Sequence, residues 1–149
     1  MSASDAQLGL GAELKAAVAT ANKILQDLVS PAMSRLGLHP GEADVLTVVR
    51  IAKHDPTPTE IADWLTLTTA GLSGRLNSLE AKGLIERRPH PEDGRRLTVH
   101  LSRRGRAQAD KAIQTKDQVL MDGAVAAIGE QRARDLIAGL HQLIDRTTH

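Results

Sequence analysis

Apolar residues recur at intervals of three and four over residues 8–29, where Leu10, Leu14, Ala17, Val18, Ala21, Leu25 and Leu28 form the stripe of a predicted helix. Pro31 is expected to end or kink it, with Ser30 placed to open a new turn. Residues 36–41, LGLHPG, read as a turn, and a second helix is predicted over 41–54 with Ala43, Leu46, Val49 and Ile51 apolar. DPTP at 55–58 breaks the pattern. Thr57 or Thr59 opens a short helix over 58–65, with Glu60 at capping-box spacing from Thr57 and an inner stripe of Ile61, Ala62 and Leu65. Thr68 or Thr69 caps the next helix, 69–82, which buries Leu72, Leu76 and Leu79 and ends at Gly83.

The period then changes. LIER at 84–87 and LTVHL at 97–101 are strand candidates, and Leu97, Val99 and Leu101 alternate with Thr98 and His100. RRPHPEDGRR, 87–96, is the loop between them. Ser102 is positioned to cap a long helix over 103–127, and Gly129 separates this from a last amphipathic helix over 130–146, striped by Leu136, Ile137, Leu140, Leu143 and Ile144. Two short helices joined by a tight turn and followed by a basic-tipped ribbon make a winged helix-turn-helix. The expected class is mainly α with a small two- or three-stranded β wing. Residues 41–101 form the winged lobe; 1–36 and 103–149 supply terminal helices whose wide apolar faces favour dimerisation.

Composition narrows the chemistry. The 149 residues hold one Trp, no Phe, no Tyr and no Cys, so aliphatic side chains carry the core, and disulfides and Cys-ligated zinc are excluded. The start, MSASDAQLGL, has no basic, apolar leader pattern, and no apolar run reaches membrane-spanning length, so a cytoplasmic location is expected. Net charge is only +1, but residues 84–106 carry seven Arg against Glu86, Glu92 and Asp93, leaving +4 there and −3 elsewhere. Such a patch on a near-neutral chain points to a polyanion. On the 69–82 helix, Thr69, Ala70, Ser73, Gly74 and Asn77 are small or polar, which lets a helix settle into a DNA major groove. Arg75 lies at the flank of that helix and suits a phosphate. In the loop, Arg88, His90, Arg95 and Arg96 are candidate DNA contacts. Arg103, Arg104 and Arg106 read equally as phosphate contacts or as an ordinary helix start.

The stretch AGLSGRLNSLEAKGLIERRPHPEDGRRLTVHLSRRG resembles the recognition-helix and wing segment of MarR-type transcriptional regulators. Leu79, Glu80, Gly83, Leu84, Ile85 and Arg87 match the first part of the family pattern, Asp93 and Arg95 its D-x-R, and Val99, Leu101, Ser102 and Gly105 its last part. The resemblance implies a homodimer with intertwined terminal helices, a pseudo-palindromic double-stranded DNA operator, and release by a small aromatic or phenolic ligand in a cleft between the dimerisation helices and the lobe. It also implies that Arg95 enters the minor groove and that Asp93 braces the wing. The chain departs from the pattern at Gly74, where relatives often carry Arg.

Other features read more plainly. Trp64 fits a packing position between lobes or a wall of a ligand cleft. His39 and Glu42 stand at i, i+3, but without Cys or a paired-His motif no metal is expected, and no cofactor. His90 and His100 could tune DNA binding with pH. No Gly-rich phosphate loop, G-x-S-x-G or H-E-x-x-H is present, so no enzyme is expected. The alternative to a ligand-relieved repressor is a winged-helix protein-interaction module that has lost specific DNA binding.

Overall fold

The computed structural model describes residues 8–147. Its helices are α1 (Leu10–Arg35), α2 (Pro40–Ile51), α3 (Pro58–Trp64), α4 (Thr69–Ala81) and α5 (Arg103–Leu120), then a π turn (Met121–Val125), α6 (Ala126–Ile128) and α7 (Glu130–Thr147). Strands β1 (Ile85–Pro89) and β2 (Leu97–Leu101) pair antiparallel, with Ile85 opposite Leu101 and Pro89 opposite Leu97. Helices therefore dominate, and the wing has two strands rather than three.

The helix starts follow from local chemistry. The Thr57, Thr68 and Ser102 side chains each accept a backbone N–H of their own helix, from Glu60, Gly71 and Gly105 respectively. Gly83 and Gly129 sit at positive φ, 72° and 93°, where a Cβ would be strained. Thr66 adopts φ 54° in the turn between α3 and α4, which costs a β-branched residue energy and marks this as a tightly held corner.

Three expectations are corrected here. Pro31 does not end the first helix: α1 runs through it to Arg35. Pro31 is solvent-exposed, while Ala32 and Met33 just beyond are buried and anchor the last turn to the core. Helix α2 stops at Ile51 rather than 54, because Ala52 is extended (ψ 140°) and leads into the Pro56 linker. In β2 the alternation does not sort inside from outside. Leu97 is 42% exposed, whereas Thr98 and Val99 are both buried. Thr98 is tolerated inside because its Oγ1 bonds the Arg88 carbonyl and His100 Nε2. The Val99 N–H meanwhile donates to the Pro56 carbonyl at 2.8 Å, tying the wing to the linker before α3.

Met33, Leu38, Leu46, Ile61, Leu72, Leu76, Leu79 and Val99 pack into one core under α2–α4 and the wing. Helix α5 starts at the root of the wing and reaches across to α1 and α2, so it connects the lobe to the terminal helices. The single long helix expected over 103–127 carries a π turn at Met121–Val125, where Gly123 lies under Leu28; a Cβ there would come within 3.1 Å of Leu28 Cδ2. The missing Cβ of Gly123 leaves room for Leu28 of α1 at that point.

Candidate nucleic-acid interface

Helix α4 is held by a buried carboxylate. Glu42, 5% exposed, accepts from the His39 N–H (2.9 Å), Ser78 Oγ (2.9 Å) and Lys82 Nζ (2.8 Å). Ser78 lies in the last turn of α4 and Lys82 caps its end, so this cluster fixes α4 on the N-terminus of α2. Burial pushes the Glu42 carboxyl up, but the Lys82 ammonium and the His39 and Ser78 hydrogen bonds together hold it below its ordinary value of 4.5. A folded-state value below the unfolded one means stability that is fully present above the ordinary carboxylate range and lost as pH falls through the lowered value. Glu42→Gln should therefore cost about 2 kcal/mol at neutral pH and flatten the acid limb of a stability–pH curve measured by urea denaturation; an unchanged acid limb would remove this role. His39 Nδ1 accepts from the Gly41 N–H, so His39 and Glu42 form a helix cap. No group of three or more metal-ligating side chains occurs among the described residues.

With Leu72, Leu76 and Leu79 turned inward, α4 leaves Thr69, Ala70, Ser73, Gly74 and Asn77 exposed on its other side. A Cβ at Gly74 would meet nothing within 4 Å, so no packing within the chain requires glycine there. Asn77 is exposed but engaged: its Oδ1 accepts from Arg87 at 2.6 Å, and Arg87 Nε lies 3.4 Å from Glu80. Arg87 thus locks the wing against α4. Arg75 lies at the flank, half-buried, its guanidinium over the bare backbone of Gly41; a Cβ at 41 would come within 2.5 Å of Arg75 Cζ. From there Arg75 lines a cleft of about 490 Å³ bounded by α1, α2 and α5, whose wall includes Leu25, Val29, Lys116 and Leu120.

The wing tip is shaped by its own side chains. The Arg95 N–H donates to Asp93 Oδ1 (3.1 Å), and the Arg96 N–H to the Asp93 carbonyl (3.0 Å). The Glu92 N–H donates to His90 Nδ1 (3.1 Å), which leaves Nε2 for any outside partner. Arg95 and Arg96 are exposed, and neither guanidinium meets a carboxylate within bonding distance among the described residues. Arg96 is near enough to α3 to help lower the Glu60 pKa, an effect due first to the His54 hydrogen bond. Arg88 stands apart from this pair: it bonds Glu86 at 2.9 Å on its own strand.

The basic segment is therefore two patches. Arg103, Arg104 and Arg106 sit at the wing's root, a five-residue strand (about 16 Å) from the tip, and Arg104 reaches the Lys82 carbonyl. Trp64 is 46% exposed at the end of α3, edge-on to His54 at 5.9 Å, over an apolar hollow floored by Val48 and Ile51. It does not line the cleft that contains Arg75. The Glu42 cluster, the Arg87–Asn77 lock and the seat of Arg75 were not read from the sequence. Only Glu42, an acid inside an otherwise apolar helical face, left a visible signal.

The fold is a winged helix-turn-helix flanked by long terminal helices. Residues 36–96 match the model of the MarR family. The chain is 33% identical over 78 residues to the HTH-type transcriptional repressor YetL of Bacillus subtilis; the match takes in 52% of this chain and 47% of YetL, so the chain spans about half the length of that relative. A mutant MarR from E. coli complexed with operator DNA is 26% identical with a TM-score of 0.74, covering 91% of this chain and 93% of that one. CouR from Rhodococcus jostii RHA1 bound to p-coumaroyl-CoA has a TM-score of 0.78 at 18% identity, over 92% and 95% of the two chains.

Proposed function

We propose that the protein is a homodimeric, sequence-specific transcriptional repressor of double-stranded DNA, relieved by a small aromatic or phenolic ligand. The observation that carries this reading is the coexistence, in one lobe, of an α4 face of small exposed residues and a wing tip with two arginines that have no acceptor among the described residues. Helix α4 enters the major groove through Thr69, Ala70, Ser73 and Gly74, with Asn77 positioned by Arg87. Arg95 enters the adjacent minor groove, whose negative potential favours a guanidinium. Asp93 presents it by holding its backbone N–H. Arg96 and His90 flank it and Arg75 serves a phosphate from the cleft edge, while Arg88, paired with Glu86 on its own strand, stands outside this set. The cleft beside Arg75 takes the ligand, and a ligand that prefers a conformer with the wrong half-site spacing weakens operator binding.

The dimer follows from packing. Helix α7 buries none of its side chains within the chain, and Leu136 stays 53% exposed. On α1, Leu10 is 84% exposed and Leu14, Val18 and Ile24 are exposed too. An 18-residue amphipathic helix that buries no side chain among the described residues presents an apolar stripe suited to a partner chain. Among the described residues no helix is long and apolar enough to cross a membrane; a regulator of this kind works in the cytoplasm, with its DNA.

Fluorescence anisotropy against the intergenic DNA upstream of its own gene tests the reading. Binding about 10³-fold tighter than to random duplex is expected, with a log–log salt slope of about −6 if seven phosphates are contacted. Arg95→Ala should cost about 1–3 kcal/mol of that specificity, and Asp93→Ala less. A flat salt response, or full affinity in both variants, would remove the wing from the interface.

A further inference from the structure

A second concave site lies behind the wing, where the end of α2, the α2–α3 linker, both strands and the first turn of α5 meet around about 400 Å³. Its permanent charges are four cations, Arg50, Lys53, Arg88 and Arg106, against one carboxylate, Asp55. Two cations are neutralised from outside the hollow: Arg50 Nε donates to Asp110 at 2.8 Å, and Arg88 to Glu86 at 2.9 Å. Asp55 faces His100 Nδ1 at 3.5 Å. Lys53 and Arg106 are exposed and meet no carboxylate among the described residues. Two cations far apart in sequence thus share one hollow without a counter-charge, and Arg88 beside them is held only by an exposed glutamate.

We infer that this hollow binds a small multivalent oxyanion of the phosphate type, with Lys53 and Arg106 as its principal ligands and Arg88 exchanging from Glu86 to join them. Multivalency follows from the donors: three side chains on three elements can be satisfied together only by an acceptor with several charged oxygens. The volume suits inorganic phosphate or pyrophosphate with some retained water. A bound anion would staple the first turn of α5 to the α2–α3 linker, fixing the root of the wing from a site separate from the ligand cleft. The phosphodiester of bound DNA offers the same chemistry, but the lining of the hollow includes no residue of α4 and none of the wing-tip residues His90, Arg95 and Arg96, so the free anion is the source assigned.

Calorimetric titration of the full chain with inorganic pyrophosphate, at low ionic strength and without DNA, tests this independently of any operator. Trp64 gives a second readout, because His54 lines the hollow and also touches the indole, the only one in the chain. Saturable binding of one pyrophosphate per chain is expected. Lys53→Ala and Arg106→Ala, both at exposed positions that the fold tolerates, should each weaken it about tenfold. Arg103→Ala, on the same helix start but outside the hollow, should leave it unchanged. Three results would overturn the inference: no saturable binding, an equal loss in Arg103→Ala, or one-for-one displacement of pyrophosphate by random duplex DNA.

Discussion

Replacing Leu136 and Leu143 together with aspartate should convert the protein to a folded monomer and lower its affinity for a two-half-site operator by about 10²–10⁴-fold, the loss expected when two linked binding events become one. The two positions are seven residues apart on α7, hence on one stripe, and both are exposed within the chain. Their substitution removes no contact from the α2–α4 core. The charges matter only where a partner's aliphatic face would cover them, since an unpaired buried carboxylate is strongly unfavourable. Sedimentation equilibrium reads the assembly and anisotropy the affinity. A variant that stays dimeric would show that α7 is not the seam; a monomer with full affinity would show that the two wings do not act together.

Gly105→Ala should destabilise the fold by about 3 kcal/mol or more, lowering Tm by roughly 6–12 °C for a chain of this size. A Cβ at this position would run into the Leu84 carbonyl oxygen. Overpacking against a flexible side chain can relax. Here the obstacle is backbone, and that same carbonyl accepts the Ser102 N–H at 3.0 Å. The Gly105 N–H also holds the Ser102 cap. Any shift that makes room for the methyl group therefore loosens the strand, the cap and the start of α5 together. Thermal unfolding followed by circular dichroism checks the expectation, and a loss below about 1 kcal/mol would show that the root of the wing is softer than its geometry.

Gly105 also illustrates what could be read in advance. Elements whose cause is local were legible. The cap at Ser102, the stop at Gly83 and, to within one neighbouring threonine each, the caps at Thr57 and Thr68 depend on residues within a few positions of one another. The inward stripe of α4 follows from helical phase alone. Misreadings arose where a distant contact decides. Pro31 stays helical because Ala32 and Met33 are gripped by the core. The π turn exists where Leu28 crosses Gly123. Within the candidate interface, the phase of α4 indicated which side chains face outward, but not which charged or polar groups are already committed. Asn77 is claimed by Arg87, ten positions on, and Arg88 by Glu86. Sequence spacing could not rank the arginines, because their availability is a matter of which carboxylates or amides the fold brings within reach.

The π turn has a consequence of scale. Helix α5, with 18 residues, is a stiff rod about 27 Å long, joined to the wing at one end and to the π turn at the other. Tilting such a rod by about 5° at the π turn displaces its far end by about 2 Å. In the proposed two-fold dimer the axis rotates one swing into the other, so the separation of the wings can change by up to about 4 Å, which exceeds the 3.4 Å step between successive base pairs. An angular adjustment too small to disturb the hydrogen bonding of either helix would thus carry the two reading heads out of phase with the DNA by a full step.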